Sequence, residues 1–357
     1  MNLDNISNLK KLDTSLVSES IEALPKQIAQ VLSDASKIKI PSAYKKINQV
    51  VVSGMGGSNL GARIVKAVFE EQLKTPLTIT PGYTVPASVN NNTLFVLSSY
   101  SGNTEETLHT YPEAKKRKAK IIAISARGEK NKLQKLMSAN NIPGYIFEHK
   151  HNPSNQPRLG LGYSIFGTLT LLNKVGLFKV SNAEIKTIIA KLEKWNKTLA
   201  ISSPAKNNLA KKIAQSLNDK EPILISAEHL NGNVFAMRNQ FCETSKNFAS
   251  YLNLPDLNHF AMEGLTHPKS NKKDFVFLFF DSKLYHPRIQ KRSQLTKQVI
   301  KKNGIQSIGI NLKGETKLEQ AFEVLQLGTW ITYYLGMVNQ VRPGDVPFVD
   351  WFKKQLG

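Results

Sequence analysis

Strand-length apolar runs alternate with amphipathic segments along this chain, and the alternation predicts an α/β fold: parallel sheets covered by helices on both faces. Two observations extend that expectation. The same alternation runs once before residue 200 and again after it, so the 357 residues predict two α/β halves rather than one ordinary core. Two Gly/Ser/Thr-rich turns also fall at the ends of strands in the first half, and parallel sheets bind ligands at the carboxyl ends of their strands.

The elements follow in order. Residues 14–36 read as one amphipathic helix, with Leu16, Ile21, Leu24, Ile28 and Leu32 on a stripe and Pro25 as an irregularity. Residues 47–53 predict a strand, then a Gly-rich turn and a helix to about Glu71. Strands follow at 77–80, 94–98, 121–125 and 145–149, with helices at 104–118 and 130–139. A polar, Pro/Gly-containing connection over 149–162 leads to helices at about 160–177 and 182–199, and Ser203-Pro204 marks the boundary between the halves. The second half predicts strands at 222–227, 275–280 and 307–311 and helices at 230–246, 285–303, 316–339 and 347–356. The expected division is an N-terminal helical segment, 1–40, packing on two domains, 41–200 and 201–357.

Composition narrows the function. No run of about 18 apolar residues occurs, which argues against a membrane span. Met1-Asn2-Leu3-Asp4 leads into polar residues rather than a secretory apolar core, and the lone Cys242 excludes an intrachain disulfide and a Cys-rich metal site. Together these predict a cytoplasmic protein. The net charge of +21 admits nucleic-acid binding or a solvated basic surface. The lysines are scattered, with no basic block beside interleaved aromatics, which favours the surface and predicts no nucleic-acid partner.

The chemistry-bearing stretch is Ser98-Ser99-Tyr100-Ser101-Gly102-Asn103-Thr104-Glu105-Glu106. A strand stops into a hydroxyl-rich turn and a helix starts, which leaves free backbone N–H groups aimed at one spot suited to a phosphate. Ser99, Ser101 and Thr104 add hydroxyls there. A capped strand-to-helix turn without ligand uses the same residue types, and both readings stand. Gly54-Met55-Gly56-Gly57-Ser58 fails as a dinucleotide fingerprint because Asn59 replaces the third glycine, and fails as a P-loop because Ala62-Arg63 follow Gly61. What remains is close backbone approach to a ligand with Ser58 as a sugar contact, or a structural turn. Glu243, on a polar helix, is either salt-bridged to Lys246 at i,i+3 or functional. His259, after a Pro-containing loop, either caps a helix or sits in a cleft. Of the seven histidines only His149 and His151 stand close together, without a third ligand, so no metal is expected.

Taken in order, these pieces resemble sugar isomerase (SIS) domains. More narrowly, the chain is similar over nearly its whole length to the bifunctional phosphoglucose/phosphomannose isomerases of archaea and bacteria. The landmarks are Gly54 to Ser58, Ser99 to Thr104, Gln156-Pro157-Arg158, Arg238-Asn239-Gln240 with Glu243 and Lys246, Leu257-Asn258-His259, and Val349 to Leu356 around Lys353. The resemblance implies two flavodoxin-like, doubly wound SIS domains. It implies substrate contacts at Gly56, Gly57, Ser58, Ser99, Ser101 and Thr104, and Arg158 beside an enediolate. It assigns Glu243 as the base between C1 and C2, and His259 and Lys353 to ring opening. It further implies a homodimer with His259 donated across the interface, a sugar-phosphate substrate, and no cofactor. Cys242 and Thr244 stand where the family has asparagines, and Lys354 adjoins Lys353. Rival readings are a non-catalytic sugar-phosphate regulator and an SIS isomerase of another sugar phosphate.

Overall fold

The computed structural model describes all 357 residues. The chain forms two compact units, one of Ala23–Lys191 and one of Met1–Glu22 with Leu192–Gly357. The first 22 residues therefore belong with the second half of the chain, and the residues just after them with the first.

In the Ala23–Lys191 unit the strands are β1 (Gln49–Ser53), β2 (Leu77–Thr80), β3 (Thr93–Ser98), β4 (Lys120–Ala126) and β5 (Gly144–Phe147). They form one parallel sheet of order β2-β1-β3-β4-β5. The central strand β3 is buried at every residue, as its unbroken apolar run requires of a strand covered on both faces. Helices Glu105–Lys116 and Lys132–Ala139 cover one apolar cluster built on Phe95, Leu97, Ile121 and Leu133. Helix Gly57–Phe69 packs against Leu161–Lys174, which is buried along most of its length. Strand order reverses between β1 and β3, so their carboxyl ends form the topological switch point of the sheet.

The other unit repeats this plan. Strands β6 (Glu221–Ala227), β7 (Ser250–Leu254), β8 (Phe275–Asp281) and β9 (Gln306–Asn311) form a parallel sheet of order β7-β6-β8-β9. That is the order of the first four strands of the other sheet, so both are flavodoxin-like, doubly wound α/β sheets. Helix Lys317–Val338 runs through this unit's core, with Trp330, Tyr333 and Tyr334 fully buried. No helix is long and apolar enough to cross a membrane.

Three expectations need correction. Residues 14–36 are not one helix but two, Val17–Glu22 and Leu24–Asp34. Leu16 takes a left-handed backbone and is exposed, while the Asp13 carboxylate accepts from the N–H groups of Val17 (2.7 Å) and Ser18 (2.8 Å) and so starts the first helix. Pro25 opens the second helix, where its missing N–H costs nothing. The helix expected over 230–246 ends at Gln240 and passes into a π-turn, Phe241–Ser245. Finally, β7 and the helices Ile6–Leu12 and Leu209–Ser216 were not anticipated; β7 is an edge strand only partly buried along most of its length, so its apolar signal is weak.

Candidate functional site

Three segments of the Ala23–Lys191 unit converge at the β1/β3 switch point. The first is the Gly54–Ser58 turn after β1. Its Gly57 lies so close to the Pro157-Arg158 backbone that an added Cβ would sit 2.8 Å from Pro157 Cβ and 3.0 Å from Arg158 N. Only glycine allows that approach. The second is the Ser99–Thr104 turn after β3. The main-chain N–H of Tyr100 donates to Ser58 Oγ (2.8 Å), and Ser98 Oγ donates to the Ser58 carbonyl (2.6 Å), so the two turns are tied together. The third is the connection ending in the short 3₁₀ turn Pro157–Leu159, which carries Arg158.

Within the serine turn the hydroxyls divide their work. Ser99 is fully buried, and its Oγ lies 2.7 Å from Thr104 Oγ1. Ser101 is exposed, and its Oγ accepts from Asn103 N (3.2 Å). Thr104 is the N-cap of helix Glu105–Lys116 but makes no side-chain cap bond to it. Gly102 supplies the left-handed residue of the turn, φ 70°, and packs against the Asn131 amide. That amide donates to Ser125 Oγ (2.7 Å) and the Ala126 carbonyl (2.6 Å), which fixes the turn against the end of β4.

Arg158 is 1 % exposed, and its Nη1 donates to Gln156 Oε1 (2.8 Å). A buried guanidinium needs such partners to offset the loss of water. Gln27, fully buried, braces the same loop: its amide donates to the carbonyls of Leu159 (2.9 Å) and His151 (3.0 Å) and accepts from Gly162 N (3.1 Å). Sequence reasoning passed over Gln27; the available signal was a glutamine beside the apolar stripe of its helix.

The remaining expected residues lie in the other unit, on three separate segments. Glu243 sits half-buried in the π-turn, a feature frequent at functional sites. Lys246 leaves the helix in a left-handed conformation, and its ammonium donates to the main-chain oxygens of Glu243 (2.9 Å) and Arg342 (2.7 Å). His259 ends the short turn Asp256–His259 and is exposed; its neighbour Asn258 is held by Thr296 Oγ1 (2.8 Å) and Arg292 Nη1 (3.2 Å). Lys353 lies on helix Pro347–Leu356, none of whose residues is buried. No group of three His, Cys, Asp or Glu side chains is arranged to hold a metal ion.

Known proteins resemble this chain. Residues 43–137 match the SIS domain family, and residues 206–356 match the bacterial phospho-glucose isomerase C-terminal SIS domain. A bifunctional phosphoglucose/phosphomannose isomerase of Caldicellulosiruptor bescii is 33% identical over 344 residues, covering 95% of this chain and 98% of the relative. One of the same name from Thermoplasma volcanium is 26% identical, covering 92% of this chain and 98% of its own length. Among solved structures, a hypothetical protein from Thermus thermophilus superposes with a TM-score of 0.75 at 15% identity, covering 98% of this chain and 93% of that one; this likeness bears on the fold alone.

Proposed function

Because this chain belongs to the bifunctional phosphoglucose/phosphomannose isomerase family, we propose that it interconverts fructose 6-phosphate with glucose 6-phosphate and mannose 6-phosphate through a cis-enediol. The observation that carries the proposal is the β1/β3 switch point: a helix N-terminus without a side-chain cap, ringed by hydroxyls, beside the loop that holds a buried arginine. The substrate phosphate docks on the amides and hydroxyls of the Ser99–Thr104 turn, with Ser101 and Thr104 in contact, Ser99 behind Thr104, and Gly56, Gly57 and Ser58 along the sugar.

The reaction moves one proton between C1 and C2 and develops charge on oxygen. It needs a base, a cation and a ring-opening acid, and no net redox change. Glu243 is the base. Arg158 stabilises the enediolate. His259 and Lys353 open the ring. The chain acts as a homodimer in which His259 serves the partner's site. In support, His259 is exposed, and the final helix presents Phe348, Trp351 and Phe352 to solvent, an apolar face that a second copy would cover. The bound phosphate supplies remote binding energy that aligns the carbon centre.

A coupled assay with fructose 6-phosphate and mannose 6-phosphate, with chelator present, tests this. Turnover of both is expected. Binding of either sugar phosphate without isomerisation would make the protein a sensor instead.

A further inference from the structure

Tyr100 faces two ways. Its main chain holds Ser58, as described, and its Oη accepts from Asn152 Nδ2 (2.8 Å). The second hydrogen of that amide goes to the Gln156 carbonyl (3.0 Å), while Asn152 Oδ1 accepts from Ser154 Oγ (2.7 Å). Ser154 Oγ in turn accepts from Gln156 N (3.3 Å). Gln156, held at both its main-chain N–H and C=O, then presents Oε1 to Arg158 Nη1 at 2.8 Å. Asn152 and Arg158 are each 1 % exposed and Tyr100 is 6 % exposed, while Gln156 between them is half-buried, so most of the chain of contacts runs through the protein interior.

The geometry points to Tyr100, Asn152 and Gln156 as positioning residues for the proposed isomerisation, a relay that fixes the direction of the Arg158 guanidinium from the phosphate-binding turn. The inference rests on the reading of Arg158 as the cation beside the enediolate. Three physical arguments support it. An arginine has many rotamers, and a guanidinium about 1 Å out of place loses much of its effect on a transition state. Asn152 spends both amide hydrogens and its carbonyl oxygen on fixed partners, which leaves it one orientation. And Gln156 is neutral: a carboxylate there would also orient the guanidinium but would cancel the charge meant for the enediolate oxygen. Burial pushes the Tyr100 phenol far above its ordinary range, so its hydroxyl stays intact wherever the enzyme works.

The relay makes the two ends of the substrate interdependent. The residue that seats Ser58 at the sugar also reaches, through two amides, the group that acts at C1 and C2. Tyr100→Phe removes one oxygen and keeps the ring against Phe147. Gln156→Ala removes the amide oxygen that accepts from Arg158 Nη1 and leaves Tyr100 and Asn152 in place.

The experiment measures kcat, KM and the thermal midpoint in Tyr100→Phe, Gln156→Ala and the double variant. It also records the ¹⁵N–¹H resonance of Arg158 Nε, identified by its loss in Arg158→Lys. Each single variant is expected to lower kcat about 10- to 100-fold with KM within about twofold of wild type. The double variant is expected to be no worse than the poorer single, since a broken relay cannot be broken again. The Arg158 resonance is expected to move in both singles. Unchanged kcat, losses that multiply in the double variant, or an unmoved resonance would overturn the inference. Should Tyr100→Phe disturb folding, Gln156→Ala decides. If the wild-type protein fails to isomerise any sugar phosphate, the proposed function falls while the resonance still judges the relay.

Discussion

Ser99 and Thr104 share a hydrogen bond of 2.7 Å, and it turns the N-cap threonine away from its own helix. An N-cap threonine ordinarily accepts from an amide of the first turn. Here that capacity is diverted, and the first-turn amides of helix Glu105–Lys116 stay available for an anion.

Ser99→Ala therefore has an unusual expected outcome. Thr104 is released to cap its helix while its main-chain N–H loses Ser99 Oγ (3.3 Å), so the two effects oppose and the thermal midpoint changes little. KM for fructose 6-phosphate rises about tenfold, the equivalent of one hydrogen bond of about 1.4 kcal/mol. Melting curves and initial-rate kinetics on the same preparation check it. A fall in stability with unchanged KM would show that the bond serves folding only.

Gly57→Ala tests the packing of the first turn on the arginine loop. The new Cβ would meet Pro157 at 2.8 Å and Arg158 N at 3.0 Å, and backbone, not a flexible side-chain end, would have to yield. Overpacking of this kind costs about 1–3 kcal/mol. Displacement of Arg158 should lower kcat at least about tenfold. Denaturant midpoints and kcat measure the two effects separately.

The first 22 residues are fastened by Lys211. Its side chain is fully buried, and its ammonium donates to the carbonyls of Ser203 (2.8 Å) and Ile201 (3.1 Å) and to Asp4 Oδ1 (3.1 Å). Lys211→Met leaves those carbonyls without their donor and should lower stability by about 1–3 kcal/mol. The Asp4 carboxyl is held below its ordinary range, first by the Ala205 N–H and then by Lys211. A depressed carboxyl pKa stabilises the folded state above the unfolded value and loses that contribution as pH falls through the folded one. The wild-type advantage over Asp4→Asn should thus be present at neutral pH and shrink below about pH 4. Unfolding midpoints across that range check the sign.

Much of this was legible in the sequence. The runs Leu94-Phe95-Val96-Leu97 and Phe275-Val276-Phe277-Leu278-Phe279-Phe280 are apolar on both faces, and both became central parallel strands. Ser99, Ser101 and Thr104 form one turn because they are close in sequence, and local chemistry sufficed to read it. The helix break at Ala23 was hidden because the stripe Leu16-Ile21-Leu24-Ile28-Leu32 continues across it, although Pro25 carried the signal of a helix start. The placement of Arg158 beside Gly57 was not legible locally. It depends on packing between segments far apart in the chain, and only the family resemblance pointed to it. The π-turn at Glu243 has no compositional signature.

The most direct measurement is turnover of Glu243→Gln at saturating fructose 6-phosphate. A carboxylate that carries the proton between C1 and C2 predicts a fall of roughly 10²–10⁴ with substrate affinity retained. Turnover equal to wild type in that variant would contradict the account.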